Sequence, residues 1–482
     1  MNRAFPLAKA SEFAVSDNSR SMYYCACKAR CSRIYSTYFP YSMTLAISAN
    51  RRPPGPDEPV LLGIDPETLD TLLEARRRFG NIVGMRGPNG RPALFVNDPA
   101  EIRRILVRQH ARYRKGPGFE RVKMLLGNGL IVSDGEVWRR SRTMIQPAFS
   151  RASMHRLIEV IVACCRERQR RWSEVAQADG ALNITQETSD FALELILRTM
   201  FGDDYERCLM TSGANPFAFL SEDSTRDLRV VLKVRELRAL LLDIVARRRA
   251  GKGGDAFDFL SIYLAARDKA GNPFSDKELL DELVTLIVAG YETSAGTLNW
   301  AWYLLAGERS CYDRMSAEAR TRIPDDSAID ADGVAAMVYT QALLQETLRL
   351  YPPVWLFTRR SAQDDSLTDY DIAAGTNVYL SPYILHRSEE FWPEPDRFDP
   401  ERFGADSEPK KGERPYFPFS LGPRRCLGEY FSFLEMKIHL GLLSQTFVMS
   451  RGTSDAPGLD LGINLRSATD LYLRPRLRQD PL

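Results

Sequence analysis

Phe419-Ser420-Leu421-Gly422-Pro423-Arg424-Arg425-Cys426-Leu427-Gly428 is the stretch on which the reading of this 482-residue chain turns. Gly422-Pro423 lets the backbone turn sharply, and the run from Glu429 through Leu442 reads as a helix that begins just after the cysteine. A cysteine taken alone is far more often a small buried hydrophobe than a ligand. Here Phe419 can shield the sulfur. A sulfur at a helix N-terminus, facing backbone N–H groups and near Arg424 and Arg425, has its thiolate form stabilised. The thiolate is the form of cysteine that ligates metals.

Upstream of that loop stands Glu346-Thr347-Leu348-Arg349, followed by Leu350-Tyr351-Pro352-Pro353. Glu and Arg at i, i+3 share a helix face and can pair, and the prolines end the helix. Bare spacing decides little, because Glu74 with Arg77 and Glu101 with Arg104 match it too and read as ordinary solvated faces. Further upstream, Ser275 with Glu278 forms a capping box, and an apolar run continues until Gly307. Such a helix is about 45 Å long and must cross the interior. Within it, Gly290 and Gly296 each cost about 1 kcal/mol relative to Ala and call for an explanation. The segment Ala289-Gly290-Tyr291-Glu292-Thr293-Ser294 is therefore singled out. Its bland reading is a packing glycine beside a solvated acid. Trp138 and Arg142 lie at i, i+4, a spacing that by itself indicates no more than a cation–π surface pair.

Toward the N-terminus, Asp65-Pro66 opens a helix that Gly80 stops, and Ile82 to Met85 with Ala93 to Val96 flank Gly87-Pro88-Asn89-Gly90 as a hairpin. Asp98-Pro99 opens another helix. Only Tyr370 to Leu380 again suggests strands, so the body reads as mainly α with a minor β region. Arg51-Arg52-Pro53-Pro54-Gly55-Pro56 is stiff and marks where a loose leader, 1–52, meets one folded domain, 53–482. The leader reads as an unstructured tail or as a start placed ahead of Met43, with a targeting segment as the other reading.

Composition excludes several classes. Sixty-five basic against 63 acidic residues leave a net charge of +2, which gives no general reason to expect nucleic acid as a partner. No segment approaches the ~20 apolar residues that span a bilayer. Eight scattered cysteines suggest a reducing, cytoplasmic compartment, and the Cys25, Cys27, Cys31 spacing matches no zinc pattern.

Phe-x-x-Gly-x-Arg-x-Cys-x-Gly resembles the haem-binding signature of the cytochromes P-450. Glu346-x-x-Arg349, then Phe398-Asp399-Pro400-Glu401-Arg402-Phe403, then the cysteine loop follow that family's order, and the resemblance spans roughly residues 53 to 475. It implies a fold with haem between the long central helix and the cysteine-loop helix. By resemblance, Cys426 is the axial ligand of haem b. Phe419, Gly422 and Gly428 shape its loop, and Trp138, Arg142, Arg359 and Arg424 lie at the propionates, with Arg360 the contender for Arg359. Ala289 and Gly290 allow close approach to haem and oxygen, Thr293 and Glu292 handle dioxygen and its protons, and Glu346, Arg349 and Arg402 form a structural triad. His386 reads as packing. The stretch between Phe201-Gly202 and Glu236-Leu237 is short for the family's lid, and Val354-Trp355-Leu356-Phe357 with the loop from Lys115 to Leu130 lines the pocket.

The activity implied is insertion of one atom of O2 into a lipophilic substrate such as a fatty acid or terpenoid. Electrons come from a separate ferredoxin or flavodoxin-type donor with its reductase, steered by Arg139, Arg140, Lys410, Lys411, Arg414 and Arg425, because the chain carries no flavin-binding or ferredoxin-like extension. The alternatives are a peroxide-driven haem-thiolate enzyme and a non-catalytic haem gas sensor.

Overall fold

The capping box at Ser275 closes: the Ser275 hydroxyl accepts the Glu278 N–H at 3.3 Å, the Glu278 carboxylate accepts the Ser275 N–H at 2.8 Å, and the central helix runs Asp276–Leu305. A computed structural model of the chain describes residues 51–63, 65–212, 217, 228–251, 257–324, 328–404, 407, 414–452 and 457–478. All but Arg51 and Arg52 of the leader, with Cys25, Cys27 and Cys31, lie outside the described residues, as do Lys410, Lys411 and most of 213–227. The compact unit treated below is Arg52–Leu482. Buried residues lie along most of the central helix, Leu283, Leu298, Trp300 and Trp302 among them. It is packed by Ile184–Phe201, Val338–Leu350 and the cysteine-loop helix Glu429–Thr446.

An aromatic knot fixes how these helices meet. Trp172, on Ile158–Gln177, meets Trp302 edge-on at 5.6 Å between centroids. The Trp302 indole donates to His439 Nε2 at 3.1 Å, and Phe191 lies 4.2 Å from the same imidazole. Burial holds His439 down at about 3, so the ring is neutral and free to accept. The knot thereby joins the central helix to the cysteine-loop helix, the two walls between which the site opens.

The β part is larger than the sequence reading. The hairpin Ile82–Arg86 with Pro92–Val96 is present in antiparallel register, and Asn377–Leu380 adds to it in parallel. Phe357–Ser361 and Tyr113–Lys115 complete a five-stranded sheet. A separate three-stranded sheet orders Leu182–Asn183, Tyr472–Leu477 and Phe447–Arg451. Pro475 argues against a central strand in sequence. It is tolerated because Leu182–Asn183 pairs only with Tyr472 and Leu473, leaving the flank beside Pro475 without a neighbour. Short strands of this kind carry too few alternations to be read before their partners are known.

Glu346 and Arg349 form a fully buried, two-bond pair, 2.7 Å for each contact. Arg349 also donates to the carbonyls of His386, Pro395 and Arg397, while the Asp399 N–H donates to Glu346 and Arg402 stands 3.4 Å away. The structure thus brings the predicted triad together. His386 is buried, and its Nε2 accepts the Phe417 N–H at 3.1 Å, which fits the packing role. Glu74 and Arg77 are exposed, as read. Glu101 and Arg104 are not a solvated face: Glu101 is buried against Thr368, and Arg104 binds Asp365 through two contacts. The local helix there is short, Pro99–Arg103, so tertiary partners decide the environment.

Removing one member of a buried charge pair commonly costs about 3–5 kcal/mol, because the other is left uncompensated. Glu346→Ala is expected to lose stability of that order in denaturant titration, with poor recovery of soluble protein. Glu346→Gln, which keeps acceptors for Asp399 and Arg349, should lose less.

Candidate functional site

Cys426 follows a tight turn, Gly422–Arg424, and precedes the helix that begins at Glu429. Gly422 has φ +69°, and a Cβ there would stand 2.3 Å from the Leu106 carbonyl oxygen, so only glycine allows the loop to pack on its neighbour. The Cys426 N–H donates to the Phe419 carbonyl at 3.0 Å, closing the loop. Gly428 and Glu429 offer backbone N–H groups to the sulfur, yet burial outweighs them and pushes the thiol up. Cys426 is nonetheless accessible to solvent. A sulfur crowded by protein and still reachable lies at the edge of an internal space.

Of the two arginines expected beside the sulfur, Arg425 interacts electrostatically with Cys426 while paired with Glu429, and Arg424 reaches back to the Ser133 carbonyl at 2.8 Å and to Asp134, stacking 3.9 Å over Trp138. Arg142 is a further cation that favours the thiolate, and it donates to the Arg425 carbonyl at 2.9 Å. Trp138 therefore pairs with Arg424 and not with Arg142.

Strand pairing sets Lys115 opposite Arg359. Arg359 is buried, whereas Arg360 donates to Asn377. Burial lowers Arg359 to about 10, with Arg424 adding to the effect; burial also lowers Arg424 to about 10, and Lys115 falls well below its ordinary value through burial and the facing arginines. Three cations thus crowd a space in which Asp134 is the carboxylate that offsets them. Isolated buried cations are costly unless an anion completes the site. The donor set beside Cys426 fits a prosthetic group with two carboxylates. Lys115 was not identified as a site residue from sequence; its signal lies in sheet register.

The opposite wall is the middle of the central helix. Leu283, Val284 and Ile287 are buried, residues 288–293 are half-exposed, and Ser294, Ala295 and Thr297 are buried again. A helix that crosses an interior and regains accessibility midway borders a cavity. Ala289, Glu292 and Thr293 belong to that turn. The Thr293 hydroxyl donates to the Ala289 carbonyl at 2.9 Å, and Glu292 is paired with Arg466 from the strand Leu465–Ser467. At Gly290 a Cβ would stand 2.9 Å from Ile196 Cδ1 on the neighbouring helix, so helix packing also favours a glycine there. Nothing in the structure explains Gly296. Val354 and Leu356 are half-buried, whereas Trp355 is fully buried and donates to the Gly462 carbonyl, so it belongs to the core.

A third side of the cysteine loop carries a groove of about 950 Å³ that reaches Cys426 and is lined by Arg103, Arg108, Arg151, Arg402, Arg414 and Arg425. The expected basic face is therefore redrawn. Arg140 is spent on Asp268 and Glu278, and Arg139 pairs with Glu136. Arg103, Arg108 and Arg151 come from distant stretches that only folding assembles.

A cysteine at a glycine-built turn, a group of cations beside it and a central helix that is less buried midway are the features of this candidate site. Residues 60–465 match Cytochrome P450, so the chain belongs to the cytochrome P450 family and is a P450 monooxygenase. It is similar to cyclooctatin synthase of Streptomyces melanosporofaciens, 31% identical over 77% of this chain and 84% of that one. Cyclooctat-9-en-7-ol 5-monooxygenase of the same organism is 30% identical over 76% and 81%. The crystal structure of the cytochrome P450DA heme domain shares the fold, with a TM-score of 0.78 at 24% identity, covering 89% of this chain and 99% of that one. Among the described residues, no helix is long and apolar enough to cross a membrane.

Glu435 was not foreseen. It is buried on the cysteine-loop helix, accepts the hydroxyl of Ser294 beside Thr293, and is pushed up to about 8 by burial. Its side chain therefore bears a proton at neutral pH. Because the folded protein holds that proton more tightly than the unfolded chain, stability should fall as pH rises from about 4.5 toward about 8. Denaturant titrations across this range should show Glu435→Gln with a flatter pH dependence than the parent.

Proposed function

We propose that Cys426 is the axial thiolate of haem b, and that Arg359, Arg424, Arg142 and Lys115, with Trp138 stacked on Arg424, hold its propionates. The carrying observation is the cation cluster beside the cysteine loop, the buried Arg359 with the partly buried Lys115 and Arg424, in which Asp134 is the carboxylate identified. When bound, the haem supplies activation of O2 for insertion of one oxygen atom into an organic substrate. The chain's own residues divide the remaining work. Thr293 keeps its hydroxyl proton on the Ala289 carbonyl, leaving oxygen lone pairs to accept a hydrogen bond. Glu292 and Glu435 lie within one turn of Thr293 or touch its neighbour Ser294, one charged and paired, the other protonated, so proton supply is available next to the threonine. Phe419 packs 5.5 Å from Phe433 and helps exclude water beside the sulfur.

The substrate is read as lipophilic, with a terpenoid-like hydrocarbon skeleton favoured over a fatty acid. Support comes from the half-buried Val354 and Leu356 and from the relative named for cyclooctat-9-en-7-ol, a cyclic alcohol. An acidic ferredoxin or flavodoxin-type protein docks at the arginine-lined groove, where the lining carries one acid, Glu429, already paired with Arg425. The buried thiols of Cys164 and Cys165 accord with a cytoplasmic setting.

The reduced protein with carbon monoxide should give the red-shifted Soret band of thiolate ligation, and Cys426→Ser should abolish it. A parent lacking that band would overturn the assignment. Thr293→Ala should keep the band while shifting consumed electrons from product to hydrogen peroxide, measured as product formed per reductant used.

A further inference from the structure

Two acids of the central helix take no part in the machinery above. Asp281 and Glu282 are both buried, and each accepts a backbone N–H from the same short loop: Asn128 to Asp281 and Leu130 to Glu282, each at 2.9 Å. Glycines make this approach possible. A Cβ on Gly127 would lie 2.1 Å from the Asp281 carboxylate, and one on Gly129 would lie 2.2 Å from Thr285 Oγ1 and 2.6 Å from the Asp281 carbonyl oxygen. Arg238, from Leu228–Arg249, donates to the second oxygen of Asp281. One carboxylate pair thus joins the central helix, the loop and a third helix.

The loop closes one end of a flap. At its other end the Lys115 N–H donates to Asp134 at 2.9 Å, and the Thr358 hydroxyl donates to the Pro117 carbonyl at 2.8 Å. Between these anchors lies the helix Phe119–Leu126, whose first turn has no side-chain cap and whose Met124 is 80% exposed. Among its described side chains Leu126 is buried in the core and Val122 packs against it, while Lys123 and Met124 are exposed. With an open cap the segment therefore has few core contacts to give up on lifting.

We infer that Asp281 and Glu282 form a carboxylate latch that gates ligand entry by holding the 116–130 flap shut, and that Arg238 ties its release to the helix Leu228–Arg249. The gating role rests on the haem-pocket reading above; the latch itself does not. The groups facing Glu282 are Asp281 and Glu278 on its own helix, Ser141 on Gly135–Ile145, Tyr263 on Phe259–Ala265 and the Leu130 N–H, while Arg238 faces Asp281 and Arg140 binds Glu278. Burial, then the two neighbouring acids, push Glu282 up to about 7, against the Leu130 and Ser141 hydrogen bonds. Lifting the flap hydrates the carboxyl and returns it toward its ordinary value of 4.5. The closed flap therefore binds the proton more tightly, and each pH unit between those values favours opening by up to about tenfold, with no further change above.

The test uses the full haem-loaded chain, hydrogen exchange at the Asn128 and Leu130 amides corrected for base catalysis, and stopped-flow binding of imidazole with rates expressed per neutral imidazole, whose own ring titrates in this range. In the parent, protection should fall and imidazole association quicken as pH rises from about 5 to about 7. Glu282→Gln keeps an acceptor for Leu130 but cannot ionise, so both trends should flatten at the protected, slow limit. Glu282→Ala should raise Leu130 exchange by about tenfold, the loss of one hydrogen bond to a charged group, and Arg238→Met should raise exchange at Asn128. A Glu282→Gln variant with the parental pH dependence, or a Glu282→Ala variant with parental exchange, would overturn the latch. Amide exchange needs no haem, so a protein lacking the thiolate Soret band would overturn the haem reading and leave the latch to be judged on exchange alone.

Discussion

The fully buried pair of Glu346 and Arg349 is the contact on which the rest of the structure depends. Its two 2.7 Å hydrogen bonds neutralise charges that no water reaches, and the remaining Arg349 donors gather the carbonyls of His386, Pro395 and Arg397. Those carbonyls belong to irregular chain that has no ladder to satisfy it, so the guanidinium supplies the hydrogen bonds a sheet or helix would have provided. His386 in turn accepts the Phe417 N–H, two residues before Phe419. The cysteine loop is positioned through this relay of backbone contacts, not by local propensity.

Around that frame burial shifts two sets of ionisable groups. Lys115, Arg359 and Arg424 gather on the sheet side with Asp134 as the carboxylate among them, while Glu435 is buried on the cysteine-loop helix and accepts the Ser294 hydroxyl. Desolvation acts oppositely on the two, lowering the cations and raising the acid. Glu282 follows the same physics at a distance, where the consequence is mechanical and not chemical.

Much of this was legible in the chain itself. The capping box, the hairpin at Gly87 to Gly90, the Glu346–Arg349 pairing and the glycine turn before Cys426 each rest on contacts within a few residues, and all are present in the structure. What escaped depended on long-range pairing. Lys115 meets Arg359 only through strand register, Glu435 meets Ser294 only where two helices cross, and the groove arginines Arg103, Arg108 and Arg151 come together only after folding. Gly290 shows the limit most plainly: its need for close approach was evident in sequence, and its packing against Ile196 only in the fold.

The sequence by itself determined the family, the order of elements and the sulfur at a helix start, because signature spacing and local capping are short-range properties of the backbone. Tertiary structure alone decided which arginines act on the sulfur. Arg424 lies two residues from Cys426 in sequence, yet Asp134 draws it away, while Arg142, nearly three hundred residues earlier, joins Arg425 near the sulfur. Electrostatic partners are chosen by distance in space and by burial, and neither is written in sequence separation.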